Sequence, residues 1–520
     1  MKIRDLLLSI LVGLPLLAAC SADVVDDYSM FPEPGAVGVA VDANLVLTFH
    51  QEAEVGTSGK IYVYDASSDQ LADCIDLSIP PGPTEIRQEP EEPVYVTQPY
   101  SYSRSKVATN LDTKPGTPSH PEAVETPAQR GNYQLTIIGG FTDGFHFYPV
   151  MARDSVVTIQ LHHNKLQYGH RYYVVIDEGV IRFTDGSIFK GVRKEDGWTF
   201  ATKGNGPSID RGILTVRKDG TGDFCTIQGA LDYVPDSLAD TLTIKIGPGM
   251  YEEIVYFRNK THLRIQGAGK DRTILRYTNN ETFNPHPLGI TTNEKKGTFP
   301  SRRAVMSVDN CDDISIEDMA IINDTEKGQS EGLLIHSERV AVRRCYIKGD
   351  RDAFQANGTT FAVQCDIEGG HDMIMSRGAL YAYRCSFRNQ GGPFAWPRND
   401  QDSHGLVFVE CSFSGISERI SDYGRTNSNK GRRYPYAEMV LINCRESNVS
   451  AGGWSVIGGD ECFVAEYNTR NKKGELIDAA SRHPRARWLD AEKDGDLIKK
   501  YTDPAFVLKG WNPGASNGGN

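Results

Sequence analysis

Residues 349–387 read GDRDAFQANGTTFAVQCDIEGGHDMIMSRGALYAYRCSF, and this stretch repeats itself. Asp352 and Asp372 are 20 residues apart, and a cysteine recurs at the same interval. Around each cysteine, apolar and polar residues alternate in short runs. The later runs VFVECSFSG and MVLINCRES show the same pattern. Self-similarity near 20 residues predicts a solenoid of stacked coils. Because the repeated runs are typical of strands, the sequence predicts an all-β fold built on a parallel β-helix.

The cysteines give the first test of this prediction. Cys345, Cys365 and Cys385 are one coil apart, and equivalent residues of neighbouring coils lie about 4.8 Å from one another. We therefore expect them to form a buried ladder that Cys411 and Cys444 continue across longer coils. A chain with ten cysteines also permits disulfides. A small apolar residue at a recurring core position explains the spacing without oxidation, and the absence of CxxC or HxxxH pairs disfavours zinc.

The two aspartates share the period of the cysteines. If Asp352 and Asp372 follow one another on successive coils, their carboxylates meet on one face of the solenoid. Two carboxylates held close together cannot both ionise easily, so one pKa rises and the pair divides into an acid and a base or nucleophile. Such a pair can attack an ester or a glycosidic bond. The alternative is that both aspartates cap turns, as aspartates commonly do.

The N-terminal segment MKIRDLLLSILVGLPLLAAC, residues 1–20, resembles a lipoprotein signal peptide with a lipobox. Cleavage before Cys20 would leave its thiol to carry lipid and tether the protein to a bacterial cell envelope. An ordinary signal peptide or a buried helix is the alternative. No later segment is apolar enough to span a membrane, so the predicted membrane contact is the lipid anchor alone. A formal net charge of −12 argues against nucleic acid as a partner.

Two domains are expected after this segment. Residues 30–203 contain alternating strands between Gly, Pro and Asp turns, which predicts a small β-sandwich. Its opening and closing strands resemble bacterial Ig-like domains, and a Pro-, Ser-, Thr- and Glu-rich stretch at about 79–134 is interpreted as a surface insertion. Residues 211–520 form the predicted solenoid. Since solenoid coils bury their core against each other, we expect this part to fold without the sandwich.

Several motifs in the solenoid resemble the pectin methylesterase family. LTVRKDGTGDFCTIQGALDYVPD (214–236) is similar to the family's opening, and GMYEE (249–253) matches its GxYxE motif. Asp352 falls on the aspartate of QDTL, here RDAF, and Asp372 on the first residue of DFIFG, here DMIM. The later matches are YGR (423–425) for LGRPW, AGGW (451–454) for PAGW, and FVAEYN (463–468) for YGEYN. The resemblance covers about 214–470 and implies a right-handed parallel β-helix.

The resemblance also implies a function and roles for residues. The substrate would be pectin or a related methyl-esterified polygalacturonate, hydrolysed by a monomer without metal or cofactor. Asp372 would be the nucleophile, Asp352 the acid and base, and Arg425 the cation that orients Asp372. Arginines crowd this part of the chain, as a polyanionic substrate requires. The expected substrate contacts are Tyr251, Trp396, Arg398 and Trp454.

Two departures from the family pattern concern the oxyanion. Family members carry glutamine where this chain has Glu331 and Arg351, which are themselves 20 residues apart. We expect these two side chains to pair, so that Arg351 replaces the glutamine donors and Glu331 orients it. Asn427, Met373 and Ser376 are further departures, at a family tryptophan, an aromatic residue and a glycine. The chemistry is expected to be retained while the substrate differs from ordinary homogalacturonan.

Two alternatives remain at this level. A polysaccharide lyase or hydrolase on the same scaffold would act on pectin too, and a lyase would usually need a calcium cluster. Asp309, Asp312 and Asp313 are a weak candidate for such a cluster. The other alternative is a glycan-binding lipoprotein whose altered pocket has lost catalysis.

Overall fold

The computed structural model describes residues 28–84, 133–136, 138–139, 145–285, 301–326, 328–428 and 433–513. Cys20, the predicted signal segment and most of the predicted insertion at 79–134 lie outside the described residues. In the described part of the chain, no helix combines the length and apolar character needed to cross a membrane.

The N-terminal region is a β-sandwich. One sheet has four strands, in the order Tyr28–Phe31, Leu45–Phe49, Val156–Ile159 and Val150–Arg153. The other has five, in the order Ala36–Val39, Thr199–Thr202, Arg171–Ile176, Lys60–Asp65 and Leu71–Asp76. Alternate residues of both sheets point into one shared core, among them Leu47 and Val174, as period-two strands require. The Ig-like relationship stays a prediction.

Short strand pairs and turns complete this region. The two small pairs are Ala53–Val55 with Ile181–Phe183, and Leu135–Thr136 with Phe145–His146. Single 3₁₀ turns occur at Lys194–Asp196, Ile209–Arg211 and, much later in the chain, Ala479–Ser481.

The C-terminal region is a right-handed parallel β-helix, as predicted. Its larger sheet has 17 strands, ordered Ile213–Val216, Leu242–Ile246, Val255–Arg258, Thr261–Gln266, Met306–Glu317, Leu333–Arg343, Phe354–Ala356, Thr359–Val363, Ile374–Ser376, Ala379–Tyr383, Gly392–Pro397, Leu406–Val409, Ser421–Arg425, Glu438–Ile442, Trp454–Val456, Phe463–Tyr467 and Arg487–Trp488. Its smaller sheet has nine strands, ordered Gly249–Glu252, Thr273–Tyr277, Ala320–Asn323, Tyr346–Lys348, Asp366–Gly369, Ser386–Asn389, Ser412–Gly415, Arg445–Ser447 and Arg470–Asn471.

One stack of strands in the larger sheet carries the site and is called the front sheet below. Its members are Val255–Arg258, the start of Met306–Glu317, the start of Leu333–Arg343, Phe354–Ala356, Ile374–Ser376, Gly392–Pro397, Ser421–Arg425 and Trp454–Val456. Every pairing in this stack is parallel. Equivalent side chains of successive coils therefore form columns along the solenoid.

The predicted cysteine ladder is confirmed. Its five members, Cys345, Cys365, Cys385, Cys411 and Cys444, are buried free thiols. The carbonyl of each accepts a backbone hydrogen bond from the residue that follows the next cysteine, or from the equivalent position beyond Cys444. The residue before each cysteine has a φ of 52–55°. This left-handed conformation makes the corner of each coil and repeats with the ladder.

Helices lie at both ends of the solenoid. Helix Ile227–Tyr233 begins after Thr226, whose side chain accepts a hydrogen bond from the Gly229 N–H, and it packs on the first coils. At the other end, helices Gly495–Thr502 and Pro504–Val507 share an apolar cluster with side chains of the strands Thr359–Val363 and Ala379–Tyr383.

The two domains interlock at their junction. Ile138 and Phe145 come from the N-terminal region but pack in the solenoid core, whereas Cys225 of the solenoid packs in the sandwich core. The Asp42 carboxylate of the sandwich accepts hydrogen bonds from the Cys225 N–H at 3.0 Å and the Thr226 N–H at 2.8 Å. These contacts argue against the expectation that residues 211–520 fold without the sandwich.

Candidate active site

The two aspartates of the repeat lie at equivalent points of adjacent coils, as the spacing predicts. Asp352 comes two residues before strand Phe354–Ala356, and Asp372 two residues before Ile374–Ser376. Phe354 pairs with Ile374 in register. Both aspartates have a left-handed backbone, with φ of 57° and 56°, a conformation that aspartate tolerates better than most residues. The sharp turn at each position directs both carboxyl groups to one face of the front sheet.

Asp372 is held by a cation and a histidine. The Arg425 Nε donates to Oδ1 at 2.9 Å while its Nη2 donates to Oδ2 at 2.5 Å, so the contact is a two-point fork. His371 Nδ1 lies 2.9 Å from Oδ2. Burial by itself would raise the pKa of Asp372, but the hydrogen bonds from His371 and Arg425 outweigh it and hold that pKa below its ordinary value. Asp372 is therefore ionised at neutral pH.

Asp352 lies in a different environment one coil away. Asp352 is 2 % exposed, and the Nη2 of Arg303 donates to the Asp352 Oδ2 at 2.9 Å. Burial raises the pKa of Asp352, Arg303 opposes the rise, and the charge of Asp372 adds to it, so that the pKa lies above its ordinary value. The two carboxyl groups thus have pKa values pushed in opposite directions, which is the division of roles expected of an acid and a nucleophile.

The predicted pair between Glu331 and Arg351 is not formed. Glu331 is fully buried, and its two oxygens accept from Arg303 Nε at 2.8 and 2.9 Å. Arg351 is exposed, and its side chain makes no hydrogen bond or ion pair to the residues that the structure describes. The reason is register: Leu333 pairs with Phe354, 21 residues later, so Glu331 is aligned with Asp352. The pairing interval of 20 holds elsewhere in the same two coils, as between Val340 and Thr360, but not at the front strands.

Arg303 is the residue that sequence reasoning missed. It bridges the carboxylates of Glu331 and Asp352 and also contacts Glu281 at 3.1 Å. The charges of Glu331 and Asp352 raise the pKa of this guanidinium above its ordinary value, although burial opposes them. No periodic signal marks Arg303, because the coil that contains it is longer than 20 residues. Its position just before strand Met306–Glu317 is the only clue that the sequence offers.

A polar chain leads from Glu331 across the front sheet. Gln355 donates through Nε2 to Glu331, and Asn357 donates through Nδ2 to the Gln355 Oε1 at 3.2 Å. Asn357 Oδ1 in turn accepts from Arg377, at 3.2 Å from its backbone N and 3.4 Å from its Nη1. The positive charge of Arg377 also opposes the rise in the pKa of Asp352 that burial causes. These contacts fix the groups that surround the acid.

Trp396 is clamped between two arginines. The guanidinium carbons of Arg398 and Arg425 each lie 3.5 Å from the centre of its indole ring. Since 3.5 Å is close packing contact, the two groups must lie on opposite faces of the ring. Trp396 is 5 % exposed and offers no open face to a sugar, so its predicted role in stacking on substrate is not supported. It instead fixes the orientation of Arg425 toward Asp372.

Tyr251 and Trp454 also lie in packing positions. Tyr251 is 3 % exposed in the smaller sheet, where its hydroxyl donates to the Gly247 carbonyl at 3.2 Å. Trp454 is 4 % exposed within the solenoid core, and its Nε1 donates to Glu466 at 3.3 Å. Neither side chain reaches the face that carries the aspartates, so the structure contradicts their predicted substrate contacts.

Arg398 is the predicted substrate contact that does lie at the site. Its charge acts on both Asp352 and Asp372, and burial lowers its own pKa to about 10. Its Nε is buried without a hydrogen-bond partner, and no carboxylate in the described part of the chain forms an ion pair with it. Arg398 therefore remains protonated at neutral pH and is available to an anionic group.

The three aspartates considered for a calcium site do not point to a common centre. Asp309 is fully buried 3.3 Å from His336 Nδ1, and Asp312 pairs with Arg339 at 2.7 Å. Asp313 faces His262 at 3.6 Å. Across the described ranges, no group of three His, Cys, Asp or Glu side chains has the arrangement needed to hold a metal ion.

Comparison with known proteins places this geometry in context. The family model described as Pectinesterase matches residues 213–510, which is more than half of the 520-residue chain. Pectinesterase QRT1 of Arabidopsis thaliana is 27% identical over 318 residues, covering 57% of this chain and 77% of the relative. Pectinesterase 31 of the same plant is 26% identical over 324 residues, covering 56% and 92%. Among solved structures, the pectin methylesterase from carrot aligns with a TM-score of 0.49 at 18% identity, covering 59% of this chain and 97% of that one.

Proposed function

The chain belongs to the pectinesterase family, and from this premise we propose that it hydrolyses galacturonate methyl esters of pectin with Asp372 as nucleophile and Asp352 as acid and base. The observation that carries the proposal is the opposite treatment of two stacked carboxyl groups. His371 and Arg425 hold the pKa of Asp372 below its ordinary value, whereas burial raises the pKa of Asp352. A carboxylate nucleophile beside a carboxylic acid is what ester cleavage without a serine requires.

In the first step, an ionised Asp372 oxygen attacks the carbonyl carbon of the methyl ester. The tetrahedral intermediate collapses as its C–O bond to the methoxy group breaks, and the proton of Asp352 passes to that oxygen to give methanol. The galacturonate is then joined to Asp372 as an acyl-enzyme. Arg425 aligns the attacking oxygens through its fork and Trp396 restricts the guanidinium.

In the second step, water attacks the acyl carbon. Asp352, now a carboxylate, accepts a proton from this water, and the bond between the acyl carbon and the Asp372 oxygen breaks. Galacturonate leaves as the free acid and both aspartates return to their starting forms. Asp352 thus acts first as acid and then as base, and a pKa raised above the ordinary value of aspartate favours the first of these roles.

We assign the oxyanion donor to Arg398 in place of Arg351. The predicted donor Arg351 points into solvent, whereas Arg398 acts electrostatically on both aspartates and carries no compensating carboxylate among the described residues. A fixed guanidinium beside the reacting carbonyl stabilises negative charge as it develops.

The experiment that tests the roles compares two substrates on two variants. Asp372→Ala should abolish methanol release from methyl-esterified pectin and from an aryl ester of galacturonate alike. Asp352→Ala should lose methanol release but retain the first turnover on the aryl ester, because an aryloxide leaves without a proton donor. Asp366→Asn changes a surface aspartate of the smaller sheet that pairs with Lys270, and should leave both activities unchanged. Equal loss of both substrates in Asp352→Ala would contradict the assignment of Asp352 as the acid.

The lipid anchor, the monomeric state and the location in a bacterial envelope are further parts of this proposal. The sequence of residues 1–20 supports the anchor and the envelope location through its basic start, apolar run and small residues before Cys20. Cys20→Ala should move the protein from the detergent phase to the aqueous phase in a phase-partition assay. Protein that partitions identically with and without Cys20 would contradict the anchor.

A further inference from the structure

Side chains on the outer face of the front sheet form two columns. Alternate residues of each strand point outward, and the pairings of successive strands align them. One column contains Tyr256, Ser307, Leu334, Gln355, Met375 and Trp396. The other begins with Arg258, Asp309 and His336, which pair in register, and continues just past the ends of the next three front strands with Asn357, Arg377 and Arg398. Both columns run along the solenoid past Asp352 and Asp372, so a polysaccharide that lies over the aspartates along the solenoid axis would rest on them.

The first half of this floor is covered. Tyr256, Ser307, Asp309, Leu334 and His336 are each fully buried although they point outward. The Phe145 ring, which comes from the N-terminal region, lies on Tyr256 with ring centres 4.7 Å apart. The Arg302 guanidinium lies 4.5 Å from the centre of the same Phe145 ring. At Gly139 a side chain would meet the Tyr256 carbonyl at 2.4 Å, so this backbone lies directly against the sheet.

The residues that cover the front sheet continue as far as Asp352, the proposed acid. The Ser301 carbonyl accepts a hydrogen bond from the Tyr256 hydroxyl. The Ser301 hydroxyl in turn donates to the Glu331 Oε1 at 3.3 Å. Arg303 follows with its ion pairs to Glu331 and Asp352. Gly139, Phe145, Ser301, Arg302 and Arg303 together are called the N-terminal wall. It fills the outer face of the front sheet from the first coils up to Asp352.

Solvent reaches the face again on the other side of the aspartates. The side chains of His371 and Arg425 are 35% and 21% exposed, and Val456, which pairs with Arg425 on the next coil, is 46% exposed. Asn427 lies at the same edge and contacts Arg425 Nη1 at 3.3 Å. A glycan lying along the columns would therefore meet solvent-exposed side chains on one side of the reacting groups and the N-terminal wall on the other, while Gln355, Met375, Trp396 and Arg398 of the columns are only 1–7 % exposed.

We propose that the groove is blind at the N-terminal wall, so that the enzyme acts on the end of a glycan chain or on short methyl-esterified oligogalacturonides. This inference rests on the proposed function and adds the substrate class to it. A polysaccharide that crosses the site in both directions would need the volume that Phe145 and Arg302 occupy. A chain end needs only the open side, where Arg398 meets the acidic sugar.

The test measures methanol release per ester from a fully methyl-esterified trigalacturonate and from a long pectin of equal ester content. We expect kcat/KM per ester to be at least about tenfold higher for the trimer. Mass spectrometry of partly converted oligomers should locate the lost ester at one terminus, and cutting the pectin with an endo-acting lyase should renew release. Equal values per ester, with interior esters lost as fast as terminal ones, would overturn the inference. Release from neither substrate would overturn the proposed function, and the inference with it.

Wall variants provide a second measurement. Phe145→Ala combined with Arg302→Ala should reduce the preference for the trimer at least about threefold, because it opens the closed side. Phe189→Ala removes the same ring from the sandwich core and should leave the preference unchanged, with a thermal melt to verify that each variant is folded. An unchanged preference in a folded wall variant would overturn the role of the wall, and if the variant does not fold, the position of the lost ester in the parent protein decides.

Discussion

Two regions of this molecule, the candidate active site and the junction between its domains, treat buried carboxyl groups differently. At the junction, Glu253 accepts backbone hydrogen bonds from Ile227 and Gln228 at 2.8 and 2.9 Å. Asp232 accepts a side-chain hydrogen bond from Gln228 Nε2 at 2.8 Å. Burial raises the pKa of both groups to about 7. At the active site, by contrast, the pKa of Asp372 is lowered.

The difference teaches what holds a buried carboxyl group in its charged form here. Neutral donors at the junction do not offset the loss of hydration, although two of them reach Glu253. A guanidinium fork with a histidine beside it does offset that loss at Asp372. Burial alone therefore marks no catalytic group in this chain, and the guanidinium fork of Arg425 is what separates Asp372 from Glu253 and Asp232.

The largest expected effect compares the same substitution in the two regions. Asp372→Asn should lower kcat/KM by about 10⁴-fold or more, because an amide cannot replace the attacking carboxylate. Asp232→Asn at the junction should leave kcat/KM within about twofold of the parent. Steady-state methanol release measures both. The comparison fails if the two variants lose activity to a similar degree.

Removing the Arg425 guanidinium should raise the pKa of Asp372, as burial raises the pKa of the junction carboxyl groups. Arg425→Gln is expected to lower kcat/KM by about 10²- to 10³-fold. It should also move the acid limb of the pH profile to higher pH, because Asp372 must be ionised to attack and its lowered pKa depends on Arg425. Profiles of kcat/KM against pH measure the shift.

Arg384→Gln is the matched control for that variant. Arg384 pairs with Glu410 at an exposed corner, so its loss should leave the acid limb in place. An acid limb that does not move in Arg425→Gln would show that another group holds Asp372 ionised.

A substitution at the junction should change the stability of the protein rather than its activity. Since the folded-state pKa of Asp232 is raised from 3.8 to about 7, its contribution to stability is present below about pH 4 and is lost as the pH rises to about 7. Asp232→Asn should therefore be more stable than the parent at pH 8, by on the order of 2–3 kcal/mol, and equal to it near pH 3.5. Urea unfolding at several pH values measures this, and parallel curves for parent and variant would contradict it.

The smallest expected effect concerns the pair that neighbours Asp352. Glu331→Gln and Arg303→Gln should each lower kcat/KM by about tenfold, and the double variant should lose less than the sum, with a coupling of about 1–2 kcal/mol. Arg351→Gln should have little effect, because Arg351 points into solvent. A coupling below about 0.5 kcal/mol would mean that Arg303 and Glu331 act independently.

Much of this architecture was predictable because the signals were periodic. The 20-residue interval gave the solenoid, the cysteine ladder and the position of Asp352 next to Asp372. Arg425 came from the family motif, and the structure places its fork on Asp372. The alternation of short strands in the first region gave the sandwich.

The remainder was not predictable because it depends on contacts between coils of unequal length. Arg303 reaches Asp352 from a coil that is longer than 20 residues, and the pair Leu333 and Phe354 shifts the register by one residue. Trp396 has the composition of a sugar-binding residue, but arginines from two other positions cover its faces. The domain boundary at 203–211 was also drawn from composition, whereas the packing of Phe145 crosses it.

The repeating corners have a consequence for how this scaffold can change over evolutionary time. The interval between ladder cysteines grows from 20 residues to 26 at Cys411 and 33 at Cys444. The extra residues fall mainly in the connections 398–405 and 426–437, each directly after a front strand, while the strand register on either side is kept. Most of the inserted residues thus follow the front strands Gly392–Pro397 and Ser421–Arg425, next to Arg398 and Asn427 in the chain. Lineages could remodel substrate choice by lengthening these two connections, without disturbing the columns that hold the aspartates.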